Sequence, residues 1–107
     1  MEQYIATTMK NLEKNGIKAL YAETKADVLP LVKGLLKAGD SVSHGGSVTL
    51  GECGVYDLLK YGDYDYIDRA QYAPENVREA YIRAFGCDSY LTSSNAVTER
   101  GELYNVD

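Results

Sequence analysis

The chain has no tryptophan, one histidine, two cysteines and two prolines among 107 residues. Each shortage excludes something. Cys53 and Cys87 form no CxxC pair, so neither an iron–sulfur cluster nor a structural zinc is expected within the chain. Two isolated cysteines read as buried, reduced thiols of a cytoplasmic protein. With His44 as the sole histidine, any metal site would rest on carboxylates. No metal and no other cofactor is therefore expected. No apolar run reaches the length of a membrane span, and the opening MEQYIATTMKNLEKNG lacks a signal core. Positive charge is also short. Eleven Lys and Arg face sixteen Asp and Glu, a net charge of −5, and no basic stripe interrupts that balance. Membrane and nucleic acid are thus not expected partners.

What remains is ordinary for a globular protein: 45% hydrophobic and 25% charged residues, enough for one domain with a modest core spanning 1–107. The apolar period changes repeatedly along the chain. Residues 2–14 read as an amphipathic helix with Ile5, Met9 and Leu12 inward, ended by Gly16. Ile17 to Ala22 reads as a strand. A second helix runs to about Ala38, with Val28, Leu31, Val32, Leu35 and Leu36 toward the core. Asp27 is its expected cap, because that start places Pro30 in the first turn, where a missing N–H costs nothing. Ser41 to His44 is a second strand, and Ser47 to about Tyr61 is helical with a break near Gly51 and Gly54. Asp63 to Arg69 is extended or irregular. Pro74 opens a further helix with Val77, Tyr81, Ile82 and Phe85 inward. Cys87 to Thr92 is a third strand, and the tail reads as a hairpin turning at Glu99-Arg100-Gly101. Strands alternating with helices predict an α/β fold, a mostly parallel sheet flanked by helices on both faces. The chain stops at Asp107 inside what reads as a strand, so a partner chain or a longer domain is expected to cover that edge.

The segment VSHGGSVTLGECG, Val42 to Gly54, carries the strongest functional signal. A strand running into Gly45-Gly46 and then into a helix gathers unpaired backbone N–H groups at one point, with the helix dipole behind them. Ser47 and Thr49 add hydroxyls, and His44 stands just before the bend. A small anion, carboxylate or phosphate, is the expected ligand. The alternative is a tight connection that uses glycine for its backbone alone. Neither the phosphate loop of nucleotide hydrolases nor the dinucleotide fingerprint is present. If the third strand neighbours the second, the polar loop TSSNAVTERGE faces the same crevice. Ser93, Ser94, Asn95, Thr98 and Glu99 then join the candidate contacts, or form an ordinary hairpin loop. Glu52 and Glu99 are the candidates for a catalytic carboxylate. Cys53 has no histidine partner in its own segment and reads as packing.

HGGSVTLGECGVYDLL, DYIDR and DSYLTSSNAVTERGELYNVD together resemble the LUD (lactate-utilisation) domain family over nearly the whole chain. The resemblance implies the α/β sandwich of the sugar-phosphate isomerase and CoA-transferase superfamily. It also implies a role in organic-acid metabolism, with redox centres on other lactate-utilisation subunits. Family domains extend past the equivalent of Asp107 into a Gly-Asn-rich ligand loop, so this chain resembles the N-terminal portion of such a domain. Related isomerases carry a catalytic aspartate where this chain has Asn95, and an amide does not serve as a general base. Two expectations follow. The chain binds a small anionic metabolite at His44, Gly45, Gly46, Ser47 and Thr49, with Asn95, Thr98 and Glu99 opposite. Alternatively it is a non-catalytic assembly module, or a fragment, that oligomerises with itself or with other subunits through an open sheet edge.

Overall fold

A computed structural model describes residues 1–106. They form two compact units, residues 24–93 and residues 1–23 with 94–106.

The larger unit is built on a parallel sheet ordered β2-β1-β3, with β1 Ser41–His44, β2 Asp65–Tyr66 and β3 Ser89–Leu91. Val42 lies opposite Tyr66 on one side and Ser89 on the other, and His44 lies opposite Leu91. Alternation along β1 sends Val42 and His44 to one face and Ser43 to the other. The Val42 face carries the core. Helices α2 (Lys25–Leu35), α3 (Val48–Glu52) and α4 (Val55–Tyr61) bring Val28, Leu29, Val32, Leu50, Val55 and Leu59 onto Val42, with Leu36 and Cys53. Tyr64 and Tyr66 pack against the same cluster, as amphipathic cover. On the Ser43 face the chain passes through 3₁₀ turns at Arg69–Gln71 and Pro74–Asn76 into α5, Val77–Phe85. The break between α3 and α4 falls at Gly54, whose φ of +79° favours glycine.

The smaller unit joins α1, Gln3–Lys14, to an antiparallel hairpin of β4 (Ala96–Val97) and β5 (Leu103–Tyr104). Asn11 and Asn15, one helical turn apart, donate side-chain hydrogen bonds to the main-chain oxygens of Glu99, Arg100 and Gly101. The hairpin turns where expected. The expected continuation through Asp107 lies outside the described residues.

Several expectations are corrected. Ile17 to Ala22 forms no strand. Its backbone is claimed by the end of α1: Ile17 N–H donates to Leu12 O and Ala19 N–H to the Glu13 carboxylate. Both ladder sides of β1 are already used by β2 and β3, and the third strand comes instead from Asp65–Tyr66. Thr24, not Asp27, caps α2. The Asp27 carboxylate sits three residues into the helix, where it accepts from both the N–H and the hydroxyl of Thr24. Asp27 N–H donates in turn to Thr24 O at 3.1 Å, and this reciprocal arrangement outweighs the one hydrogen bond lost at Pro30, which is exposed. The helix ends at Leu35 rather than near Ala38, as Leu36 turns extended and buries itself. Leu35 is exposed, and Leu29 takes the inward place. Cys87 is half-buried rather than buried.

The largest correction concerns α5. Ala80 is its buried residue, whereas Tyr81, Ile82 and Phe85 are exposed, Phe85 at 95%. The helix lies against β1 with the small Ala80 buried. The larger apolar groups are left outside. Tyr81, Ala84, Phe85 and Tyr90 line an open groove of about 490 Å³.

Candidate functional site

The carboxyl ends of β1, β2 and β3 lie side by side in a parallel sheet, and the groups that follow them meet there. Gly45 N–H donates to Leu91 O at 2.9 Å, continuing the β1–β3 ladder by one rung. Ser47 N–H donates to the Tyr56 hydroxyl at 3.0 Å, and that hydroxyl donates to Ser47 O at 2.7 Å. Tyr56, on α4, thus clasps the bend from the core side. Between these two engaged amides, Gly46 N–H meets no acceptor among the described residues, and Gly46 is exposed. Of the amides of Gly45, Gly46 and Ser47, two are therefore spent within the protein, and one is not.

The helix contributes less than the sequence suggests. α3 has five residues, too few to sum much of a macrodipole. Ser47 is its cap, its Oγ accepting from Leu50 N–H at 3.2 Å and from the Ser93 hydroxyl at 2.9 Å. This second bond ties the end of β1 to the end of β3. A Cβ at Gly45 would stand 3.3 Å from Thr92 Oγ1 and 3.4 Å from the Tyr90 hydroxyl, so the β3 side of the bend is close-packed. A Cβ at Gly46 would meet only Arg69 Nη2, at 3.6 Å.

His44 is half-buried and fully engaged. Nδ1 lies 2.8 Å from Gly45 O, which can only accept, so Nδ1 carries the hydrogen. Nε2 lies 2.6 Å from the Tyr66 hydroxyl, with which it shares a hydrogen bond. The imidazole stacks on Tyr56 at 4.4 Å between centroids. Burial first, then the Asp68 carboxylate and Tyr56, push the Tyr66 phenol up to about 12. A neutral acid with a raised pKa contributes stability below its unfolded value, near pH 10, and loses that contribution between there and pH 12. A spectrophotometric titration of the ten tyrosines is accordingly expected to show one phenolate forming near pH 12. Tyr66→Phe removes this late step; a titration with no step near pH 12 contradicts it.

Thr49 is exposed and its hydroxyl has no partner among the described residues. Glu52, also exposed, pairs with Lys25 at 2.6 Å, which raises the Lys25 pKa. Asn95, Thr98 and Glu99 belong to the smaller unit and hold its hairpin. Asn95 Oδ1 accepts from Val106 N–H at 2.7 Å, Thr98 Oγ1 donates to the Glu102 carboxylate and accepts from Glu102 N–H, and Glu99 O accepts from Asn11. Arg69, Tyr56 and Tyr66 are the residues at the bend that sequence reasoning passed over. Arg69 closes the DYIDR element, but nothing in local periodicity tells that this loop ends beside Gly46. Among the described residues, no cluster of His, Cys, Asp and Glu could hold a metal ion, and no helix is long and apolar enough to cross a membrane.

A three-stranded parallel sheet covered by helices on both faces, with its polar loops gathered at the carboxyl ends, is an α/β architecture of the kind that binds ligands at that rim. The LUD domain family model matches residues 5–107, and the chain belongs to that family, named for lactate utilisation. Neither a curated protein nor a solved structure matches the chain.

Proposed function

We propose that the protein takes part in organic-acid metabolism by binding a small anion, carboxylate or phosphate, at the Gly45-Gly46-Ser47 bend. The observation that carries this reading is the Gly46 amide, unengaged and exposed at the carboxyl end of the central strand while both neighbouring amides are spent. An unpaired N–H whose neighbours are held rigid is preorganised for an acceptor. His44 shapes the bend by its bond to Gly45 O, Ser47 caps α3, and the Thr49 hydroxyl lies free one turn on. Family membership supports the metabolic setting.

Substitution at Gly46 tests the site. Its φ is not positive and the nearest atom to a new Cβ is the flexible end of Arg69, so Gly46→Val should fold. Thermal melts with pyruvate, lactate or inorganic phosphate are expected to show protection of the wild type and none of Gly46→Val. Equal protection of both removes the assignment. The exposed apolar groove on α5 and β3 supports a second reading, an assembly module that pairs with itself or with other lactate-utilisation subunits. No protection by any of these anions, together with a dimer or larger species in light scattering, favours that reading instead.

A further inference from the structure

We infer that Arg69 supplies the positive charge of this site, so that the anion lies between the carboxyl ends of β1 and β2 rather than between β1 and β3. The inference rests on the anion-binding reading above and adds to it the cation and the place.

Two observations carry it. The first is packing. On the β3 side, Thr92 and Tyr90 crowd Gly45, and the Ser93 hydroxyl is bonded to Ser47. On the β2 side the guanidinium of Arg69 is the one group near Gly46, and it is long and movable.

The second is charge. In a chain with five more acidic than basic residues, Arg69 has no acidic partner among the described residues. Lys25 is paired with Glu52, and Arg83 with Asp65 and the Tyr72 hydroxyl. Asp68, next to Arg69 in the chain, turns its carboxylate onto Ala70 N–H at 3.0 Å. That bond caps the 3₁₀ turn and sets the direction in which Arg69 leaves it. Tyr72 N–H then donates to Arg69 O. A guanidinium fork offers two parallel N–H groups to two oxygens of one carboxylate or phosphate, and Gly46 N–H adds a third donor from the facing strand end.

The test compares Arg69→Gln, Arg69→Lys, Thr92→Val and Gly46→Val by calorimetric titration with pyruvate and with inorganic phosphate. For the anion that binds wild type, Arg69→Gln should bind at least about tenfold more weakly, the loss of a charge-assisted contact. Arg69→Lys should fall between, since it keeps the charge without the fork. Thr92→Val should stay within about twofold, because it leaves donors to the anion in place. Melting without anion should be unchanged in Arg69→Gln. If Arg69→Gln binds like wild type while Gly46→Val does not bind, the anion sits at the bend without Arg69 and this inference is overturned alone. If neither anion binds wild type, or Gly46→Val binds as wild type does, the underlying reading falls with it. A loss in Thr92→Val larger than in Arg69→Gln moves the anion to the β3 side and also overturns the inference.

Discussion

Leu59→Ala is expected to cost the protein about 2–5 kcal/mol, the range for removing a large aliphatic side chain from a packed interior. Leu59 is 1% exposed and lies with Val42, Val55, Cys53 and Leu36 in one cluster. Its loss combines the transfer free energy of the missing methylene and methyl groups with a cavity that α4 cannot readily fill, because α4 is two turns long and held at Gly54 and Gly62. Leu35→Ala is the matched comparison. The apolar period of the second helix expects Leu35 in the core, yet the residue is exposed, so its truncation should stay within about 0.5 kcal/mol. Urea denaturation of the two variants measures the difference. In a small domain each kcal/mol moves the melting temperature by about 4–8 °C, so thermal melts resolve it as well. Equal costs at the two leucines would contradict the placement of the core.

Gly101→Ala is expected to release the hairpin from α1. Gly101 has a φ of +81°, and an added Cβ would lie 2.5 Å from the carbonyl carbon of Asn11 and 2.7 Å from Leu12 N. These are backbone atoms inside a helix and cannot step aside. The turn cannot retreat without stretching the Asn11 and Asn15 hydrogen bonds that hold it. Gly16 separates the two causes, since it has nearly the same φ, +84°, with nothing near its missing Cβ. Gly16→Ala should cost only the conformational penalty, about 1–2 kcal/mol, and Gly101→Ala clearly more. Hydrogen exchange reports it locally. The amides of Thr98 and Gly101, which close the hairpin turn, should lose protection in Gly101→Ala, while that of Ile67, bonded to Val42 O, keeps its own. Retained hairpin protection would show that the close approach is not needed.

Both contrasts turn on what a sequence displays. Leu35 and Leu36 are identical letters at adjacent positions, and the period of the helix admits both to the core. One is buried because the helix stops between them and the chain turns extended at Leu36. Gly16 and Gly101 share a backbone conformation that glycine makes easy, and local signals find both. Only the second also has another segment's backbone against it. Tyr81, Ile82 and Phe85 repeat the lesson on α5. Their helical spacing was legible, but the face that turned inward is the one that carries the small Ala80. The candidate site divides in the same way. The Gly45-Gly46 bend, Ser47 and His44 could be found by reading along one segment. Tyr56 and Arg69, which bound the bend on two sides, arrive from residues 9 and 23 positions beyond Ser47 and Gly46, and no local pattern signals their approach.

By itself the sequence determined a first helix, read over 2–14 and found over 3–14, the strand at 41–44, the hairpin turn and the diglycine bend, and a last helix ended by Gly86 whose opening at Pro74 is a 3₁₀ turn before the α-helix begins at Val77, because each follows from period, capping chemistry or glycine's backbone freedom within a few neighbours. Tertiary structure alone decided that Ile17 to Ala22 pairs with no strand, which side of α5 is covered, and that Tyr56 and Arg69 stand beside the diglycine bend. Those outcomes depend on which distant backbone or side chain is already present when a segment packs, and pairing and burial are properties of that partner as much as of the segment.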